Sequence, residues 1–172
     1  MIKQLVYWDS ATFLALFNKD VSHNDCELCE DVWHECEQGL TLIVTSTLTI
    51  AEVIFLKGTP KLDSTKRPLV NNFFRAEHII LRPLTRSIAE LARDIVWDSN
   101  INPKDAIHIA TAVTYKIGII HTFDKGLLNR NTINVNGFLL NIRQPYAQRQ
   151  IEMEEVIKKS ENKTKQEKTD KG

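Results

Sequence analysis

Residues 5–17 read LVYWDSATFLALF and contain the step that decides the fold. The first four residues are apolar or aromatic, which is typical of a short buried strand. Asp9 and Ser10 follow where this run ends, and both residue types cap helices, so we predict a helix from there to about Phe17. A buried strand that leads directly into a helix is the repeating unit of an α/β fold.

The same alternation continues along the chain. Further strands are predicted at 40–45, 79–81, 119–122 and 138–142. Further helices are predicted at 25–39, 47–56, 64–76, 87–96 and 103–118. Strands that are separated by helices favour right-handed parallel crossovers. We therefore predict a three-layer α/β/α sandwich around a central parallel sheet of about five strands.

The chain divides into two parts by composition. It has 172 residues, of which 42% are hydrophobic, and this is ordinary for a folded domain. Beyond about residue 150 the apolar residues become sparse, while acids and bases occur in equal numbers. Such a segment buries too little apolar surface to offset the entropy of ordering. We predict a folded domain over 1–150 and a charged, disordered C-terminal tail over 151–172.

Charge and cysteine content narrow the possible partners and compartment. Lys and Arg total 22 and Asp and Glu total 22, so no global positive field indicates a polyanion. The apolar runs are too short for a membrane span, and the N-terminus lacks a signal-peptide core. Three cysteines argue against a secreted disulfide framework. A cytoplasmic protein without a membrane partner is expected.

Four acids are predicted to meet at one edge of the sheet. In parallel α/β sheets the site lies beyond the carboxyl ends of the strands. Asp9 and Asp124 follow strands, whereas Glu52 and Asp105 lie early in helices that begin at this edge. Asp9 and Asp124 could instead be helix caps, and Asp105 could be an acid favoured by the helix dipole. Glu52 has mostly apolar neighbours, which places it beside a buried helix face.

Such a cluster needs neutralisation. Two unit charges about 4 Å apart repel by roughly 4 kcal/mol at an effective dielectric constant near 20. A domain has only about 5–15 kcal/mol of net stability, so protons or cations must compensate the repulsion. Oxygen ligands without a nearby Cys or His suit Mg²⁺ or Mn²⁺. Metal-assisted hydrolysis of a phosphodiester is the chemistry that this arrangement favours.

Four segments together resemble the PIN domain, a nuclease family that includes the toxins of VapBC toxin–antitoxin pairs. They are YWDSATF at 7–13, TSTLTIAEV at 45–53, PKDAIHIATA at 103–112 and HTFDKGL at 121–127. The resemblance implies a parallel α/β/α fold and metal-dependent endoribonuclease activity with Mg²⁺ or Mn²⁺. It matches the four family acids to Asp9, Glu52, Asp105 and Asp124, as catalytic residues and metal ligands. The small hydroxyl residue that assists binding matches Ser10 or Thr122.

The resemblance also implies partners. These are an RNA substrate, an antitoxin that offers Arg or Lys to the acidic cleft, and a second copy of the chain. The apolar residues Phe13, Leu16 and Phe17 are candidates for the dimer surface. Basic residues near the site are candidate phosphate contacts: Lys104 and Lys125, with Arg86 and Lys57 as weaker ones. The alternative is a catalytically silent PIN-fold module that binds RNA or protein.

Two further signals have structural interpretations. Cys26, Cys29 and Cys36 share a predicted helix face with Trp33 and fit no common zinc spacing, so we expect core packing. His108 lies three residues after Asp105 on an apolar helix face. We expect it to be a core histidine bonded to backbone rather than a general base.

Overall fold

The structure, a computed structural model, describes residues 3–18, 23–54 and 61–147. In chain order the elements are β1 Gln4–Trp8, α1 Ser10–Phe17, α2 His23–Glu37, β2 Thr41–Ser46, α3 Thr47–Glu52, a 3-10 turn Ser64–Lys66, α4 Arg67–Phe73, β3 Ile79–Arg82, α5 Arg86–Ser99, α6 Pro103–Thr114, β4 Ile119–His121, α7 Lys125–Leu128, β5 Thr132–Val135 and β6 Phe138–Arg143. The predicted tail at 151–172 lies outside the described residues, as does Lys57.

The strands form one six-stranded sheet in the order β3-β2-β1-β4-β6-β5. Strands β1, β2, β3, β4 and β6 run parallel, and Trp8 of β1 is in register with His121 of β4. The chain winds from β1 to β3 on one side and then returns to place β4 on the other side of β1. This reversal creates a topological switch point between β1 and β4, where open α/β sheets place their ligand sites.

Two apolar layers cover the sheet, which confirms the predicted α/β/α sandwich. Alternation along β1 sends Tyr7 into the cluster formed with α5 and α6, and Trp8 into the cluster formed with α1, α2 and α4. Phe13 of α1 packs edge-on against Trp8, with ring centroids 5.2 Å apart. Burial of a side chain such as Phe13 stabilises the fold by about 1.5–3 kcal/mol. Strand β1 and the start of α1 are therefore held from both faces.

The prediction of an all-parallel sheet of about five strands needs one correction. Strand β5 is an additional strand and pairs antiparallel with β6. The two strands are joined at Asn136 and Gly137, whose φ angles of 51° and 83° match a type I′ hairpin turn. Ile133 and Val135 are buried, while the residues between and before them are exposed. This hairpin extends the sheet at the edge beyond β6, away from the switch point.

Several helix boundaries differ from those predicted. Helix α3 ends at Glu52, α4 is only Arg67–Phe73 after a separate 3-10 turn, and α6 ends at Thr114. The stop of α6 follows from its geometry, because Lys116 adopts a positive φ of 57° that no helix interior allows. These changes leave the start of every helix near the switch point where the sequence placed it.

The apolar residues of α1 and α2 belong to the core. Cys26, Cys29 and Cys36 are buried and form no disulfide, which confirms their predicted packing role. Phe13 and Phe17 are also buried, and Phe17 stacks edge-on against Phe73. The suggestion that this face contributes a dimer surface was wrong for these two side chains, because the chain's own helices already cover them. No helix in the described part of the chain is long and apolar enough to cross a membrane.

Candidate active site

The four predicted acids lie at the carboxyl edge of the sheet, on both sides of the switch point. Asp9 directly follows β1, and Asp124 follows β4 by three residues. Glu52 is the last residue of α3, the short helix that begins where β2 ends. Asp105 lies in the first turn of α6. The topology thus delivers all four carboxyl groups to this edge, as the sequence predicted.

Asp9 is a buried carboxyl group held by hydroxyls. Its Oδ1 accepts a hydrogen bond from the backbone N–H of Thr12 at 3.0 Å and so caps α1. The Thr12 hydroxyl lies 3.0 Å from the same oxygen, and the Thr122 hydroxyl donates to Oδ2 at 2.5 Å. Only 4% of Asp9 is exposed. Burial raises its pKa, although the nearby His108 and these hydrogen bonds act in the opposite direction.

Thr122 joins two of the acids. While its hydroxyl donates to Asp9, its oxygen accepts from the backbone N–H of Asp124 at 2.9 Å. Asp124 in turn caps α7, since its Oδ1 accepts from the backbone N–H of Leu127 at 2.9 Å. The capping interpretations of Asp9 and Asp124 are therefore both correct. Each cap uses only Oδ1 of the carboxyl group, so capping fixes the acids at this edge while Oδ2 takes no part in the cap.

The pKa of Asp105 is the clearest sign that the four acids lie close together. Its pKa is raised to about 6 by burial and then by the negative charge of Asp124. The charges of Asp9 and Glu52 raise this pKa further, while His108 lowers it. All three other predicted acids therefore lie near enough to Asp105 to act on its ionisation. The expected excess of negative charge is present around this carboxyl group.

Glu52 differs from the other acids because its charge is paired. Its Oε1 lies 3.2 Å from the Lys104 ammonium nitrogen, and its Oε2 lies 2.9 Å from Nε2 of His108. Burial raises the pKa of Glu52, but these two partners outweigh burial and leave the pKa below its usual value. Glu52 is therefore ionised at neutral pH, with both oxygens engaged.

His108 connects Glu52 to the core. Its Nδ1 lies 2.8 Å from the hydroxyl of Tyr7, and that hydroxyl accepts from the backbone N–H of Ser46 at 3.1 Å. Burial raises the pKa of Tyr7, so the phenol keeps its proton. The expectation that His108 is buried was correct. Its expected backbone partner was wrong, because both ring nitrogens face side chains.

The carboxylate oxygens of the four acids are hard, negatively charged donors, which are the ligands that Mg²⁺ and Mn²⁺ prefer. Asp9, Asp105 and Asp124 present carboxyl groups whose mutual repulsion a divalent cation would relieve. The side-chain positions are not those of a closed site: over 3–18, 23–54 and 61–147, no three Asp, Glu, His or Cys side chains form a group that could hold an ion. Coordination would therefore need side-chain movement, since Asp9 and Glu52 already have both of their carboxyl oxygens engaged.

The predicted substrate-binding residues occupy different positions. Thr122 touches Asp9 directly, whereas Ser10 is the first residue of α1 and half-buried. Lys104 pairs with Glu52 rather than standing free. Lys125 begins α7 and is exposed. Arg86 begins α5, where it forms an exposed ion pair of 2.8 Å with Glu90.

Sequence reasoning missed the polar residues that support the acids. Thr12 caps nothing itself, but its hydroxyl lies within 3.0 Å of Asp9 and 2.9 Å of the carbonyl of His121. Tyr7 and His108 form the chain of contacts to Glu52. The sequence already places His108 beside Asp105, because positions three apart on a helix share a face, but it does not indicate the contact of His108 with Glu52. The partner Tyr7 lies 101 residues away in sequence, and no local pattern indicates it.

Comparison with known proteins agrees with this architecture. The sequence matches the PIN domain family over residues 6–132, well over half of its length, and the chain belongs to that family. The sarcin-ricin loop cleaving toxin VapC20 of Mycobacterium tuberculosis has a similar fold, with a TM-score of 0.60 and 14% identity over 76% of this chain and 98% of that one. A chain in a toxin–antitoxin complex from Klebsiella pneumoniae is similar at a TM-score of 0.50 and 17% identity, over 83% and 98% of the two chains. No curated protein matches the sequence.

Proposed function

We propose that this chain is a metal-dependent endoribonuclease and the toxin of a VapBC-type toxin–antitoxin pair. The observation that carries the proposal is the convergence of Asp9, Glu52 and Asp124 around the half-buried Asp105, where burial and then these negative charges raise the pKa of Asp105 to about 6. Perturbed acids in such a cluster are typical of functional sites, and the switch point is where the fold places them. Membership of the PIN family and the fold shared with VapC20 support the same conclusion.

Different residues at this edge would bind the metal, position the acids and contact the RNA. Asp9, Glu52, Asp105 and Asp124 would hold Mg²⁺ or Mn²⁺, and Thr122 would fix Asp9 relative to Asp124. A divalent ion held by these residues would supply charge neutralisation at the phosphate and a more acidic water for hydrolysis of the phosphodiester. Lys125, Lys104 and Ser10 lie on elements that begin at this edge and would contact the RNA backbone. The expected product carries a 5′-phosphate.

Partners follow from the same charge pattern. The chain has a net charge of zero, so RNA affinity would depend on local lysines and on bound cations rather than on a global field. An antitoxin segment with Arg or Lys would complement the acidic edge. Because the three cysteines form no disulfide, we propose that the protein works in the cytoplasm, where disulfides are rare.

A second candidate function rests on the pairing of Glu52. Lys104 and His108 engage both of its oxygens, and the described acids do not form a closed ion site. A chain that kept this arrangement would bind RNA or protein without cleaving it. The two candidates differ in whether the acids exchange their internal partners for a divalent cation.

The test is cleavage of a panel of structured and single-stranded RNAs by the purified chain. We expect products with Mn²⁺ or Mg²⁺, none with EDTA, and none from Asp9→Asn or Asp105→Asn at matched folding. Exposed Asp98→Asn is the control for loss of one negative charge. RNA binding without products under every ion condition would favour the silent module, and full activity of either site variant would refute the assignment.

A further inference from the structure

The two carboxylate oxygens of Glu52 contact one buried side chain and one exposed side chain. His108 is buried, with only 3% of its side chain exposed, and faces Oε2 at 2.9 Å. Lys104 is a surface residue, with 68% of its side chain exposed, and faces Oε1 at 3.2 Å. One partner is therefore built into the core, and the other reaches the site from solvent.

The hydrogen bond between His108 and Glu52 has a defined donor as well as a fixed position. Glu52, paired with Lys104, is an acceptor, so Nε2 of His108 must carry the proton that it donates. In the neutral ring Nδ1 then accepts from the hydroxyl of Tyr7. That hydroxyl is anchored by the backbone N–H of Ser46, and Tyr7 is fully buried. The imidazole cannot turn without breaking this chain.

The Lys104 contact is exchangeable. An ion pair with one exposed partner contributes only about 0–1 kcal/mol, because solvent screens it and the long side chain loses freedom. The lysine backbone is held at the start of α6, where its N–H donates to the cap Asn102 at 3.0 Å. Its ammonium group can leave Glu52 while the helix stays in place.

We propose that Lys104 is a displaceable counter-cation that occupies Oε1 of Glu52 in the ion-free site, whereas His108, anchored by Tyr7, is the positioning residue that keeps Oε2 in place. This inference rests on the proposed function, because it assigns the place of Lys104 to an incoming divalent cation. Once released, the ammonium group lies beside Asp105 in sequence and is available to an RNA phosphate.

The test measures Mn²⁺ binding by the full chain without RNA, from the electron paramagnetic resonance signal of free Mn²⁺. Lys104→Met should tighten Mn²⁺ binding about two- to fivefold, since it removes a competitor worth up to about 1 kcal/mol. His108→Ala should weaken it about tenfold or more, the usual effect of losing a residue that orients a ligand. His108→Gln should recover part of this loss, because its amide can still donate to Glu52.

Two lysine controls separate displacement from general charge effects. Lys116→Met changes a residue just beyond the C-terminal end of α6, whose last residue Thr114 is ten residues or about 15 Å along the helix from Lys104, and should leave Mn²⁺ affinity unchanged. Lys125→Met removes a charge near Asp124 without touching Glu52, so it should tighten binding less than Lys104→Met. With RNA present, Lys104→Met should also raise KM more than it lowers kcat, as expected for a lost phosphate contact.

The outcomes distinguish the two proposals. Unchanged or weaker Mn²⁺ binding in Lys104→Met, or equal tightening in Lys125→Met, would overturn the displacement by Lys104 and leave the nuclease proposal standing. Absence of Mn²⁺ binding in the wild-type chain would overturn both. A His108→Gln variant that melts like the wild type and yet binds Mn²⁺ as poorly as His108→Ala would contradict the positioning role.

Discussion

Replacement of Asp105 by Asn should stabilise the metal-free protein at neutral pH. The folded chain raises the pKa of Asp105 to about 6, against an ordinary value of 3.8. One pKa unit corresponds to about 1.36 kcal/mol, so ionisation of this carboxyl group costs the folded state up to about 3 kcal/mol. Because Asp105 is only partly buried, solvent screening reduces this figure, and we expect a gain of about 1–2 kcal/mol from Asn.

The pH dependence has a definite sign. The folded state binds the Asp105 proton more tightly than the unfolded state, so its contribution is most favourable below about pH 3.8 and is lost as pH rises through about 6. Asp105→Asn should therefore raise Tm by about 3–6 °C at pH 7.5, and the gain should shrink steadily towards pH 4. Thermal melts in EDTA measure this directly.

A matched control isolates the site. Asp98→Asn removes an exposed acid from α5, and its effect should stay within about 0.5 kcal/mol at both pH values. A lower Tm for Asp105→Asn at pH 7.5, or a gain that does not change with pH, would refute the claim that burial and the neighbouring acids raise the pKa of Asp105.

Three further variants test the groups around the site. Tyr7→Phe removes the hydroxyl that contacts His108 and the backbone of Ser46, so it should lower the free energy of unfolding by about 1–3 kcal/mol in urea titrations. Unchanged stability would contradict this buried chain of contacts. Thr122→Val removes the donor to Asp9 and should cost about 1–3 kcal/mol and reduce RNA cleavage, so a fully active variant would count against it. Gly137→Ala places a side chain at φ 83° and should cost about 1 kcal/mol, whereas Gly118→Ala has open space and should cost less; equal losses in urea would argue against the hairpin turn.

Much of the fold could be predicted because its signals are local. Apolar runs that end in a capping residue mark β1 and the start of α1, and Pro103 marks the first turn of α6. Strand β5 was missed although its signal was also local. Ile133 and Val135 alternate with exposed residues before Asn136 and Gly137, which is the pattern of a two-residue hairpin.

The site was predictable in its residue types and only partly in its geometry. The carboxyl-edge rule for parallel sheets is general, so the placement of Asp9 and Asp124 followed from the strand order. The pairing of Glu52 with Lys104 depends on the relative positions of α3 and α6, which no local pattern specifies. The contact between Tyr7 and His108 likewise forms only when β1 packs against α6.

A binding titration measures whether four acids distant in sequence act as one divalent-ion site. Mn²⁺ should bind the wild-type chain without RNA, and each of Asp9→Asn, Glu52→Gln, Asp105→Asn and Asp124→Asn should weaken that binding at least tenfold while the chain stays folded. Wild-type affinity in any one folded variant would remove that acid from the site. Absence of Mn²⁺ binding in the wild-type chain would contradict the account as a whole.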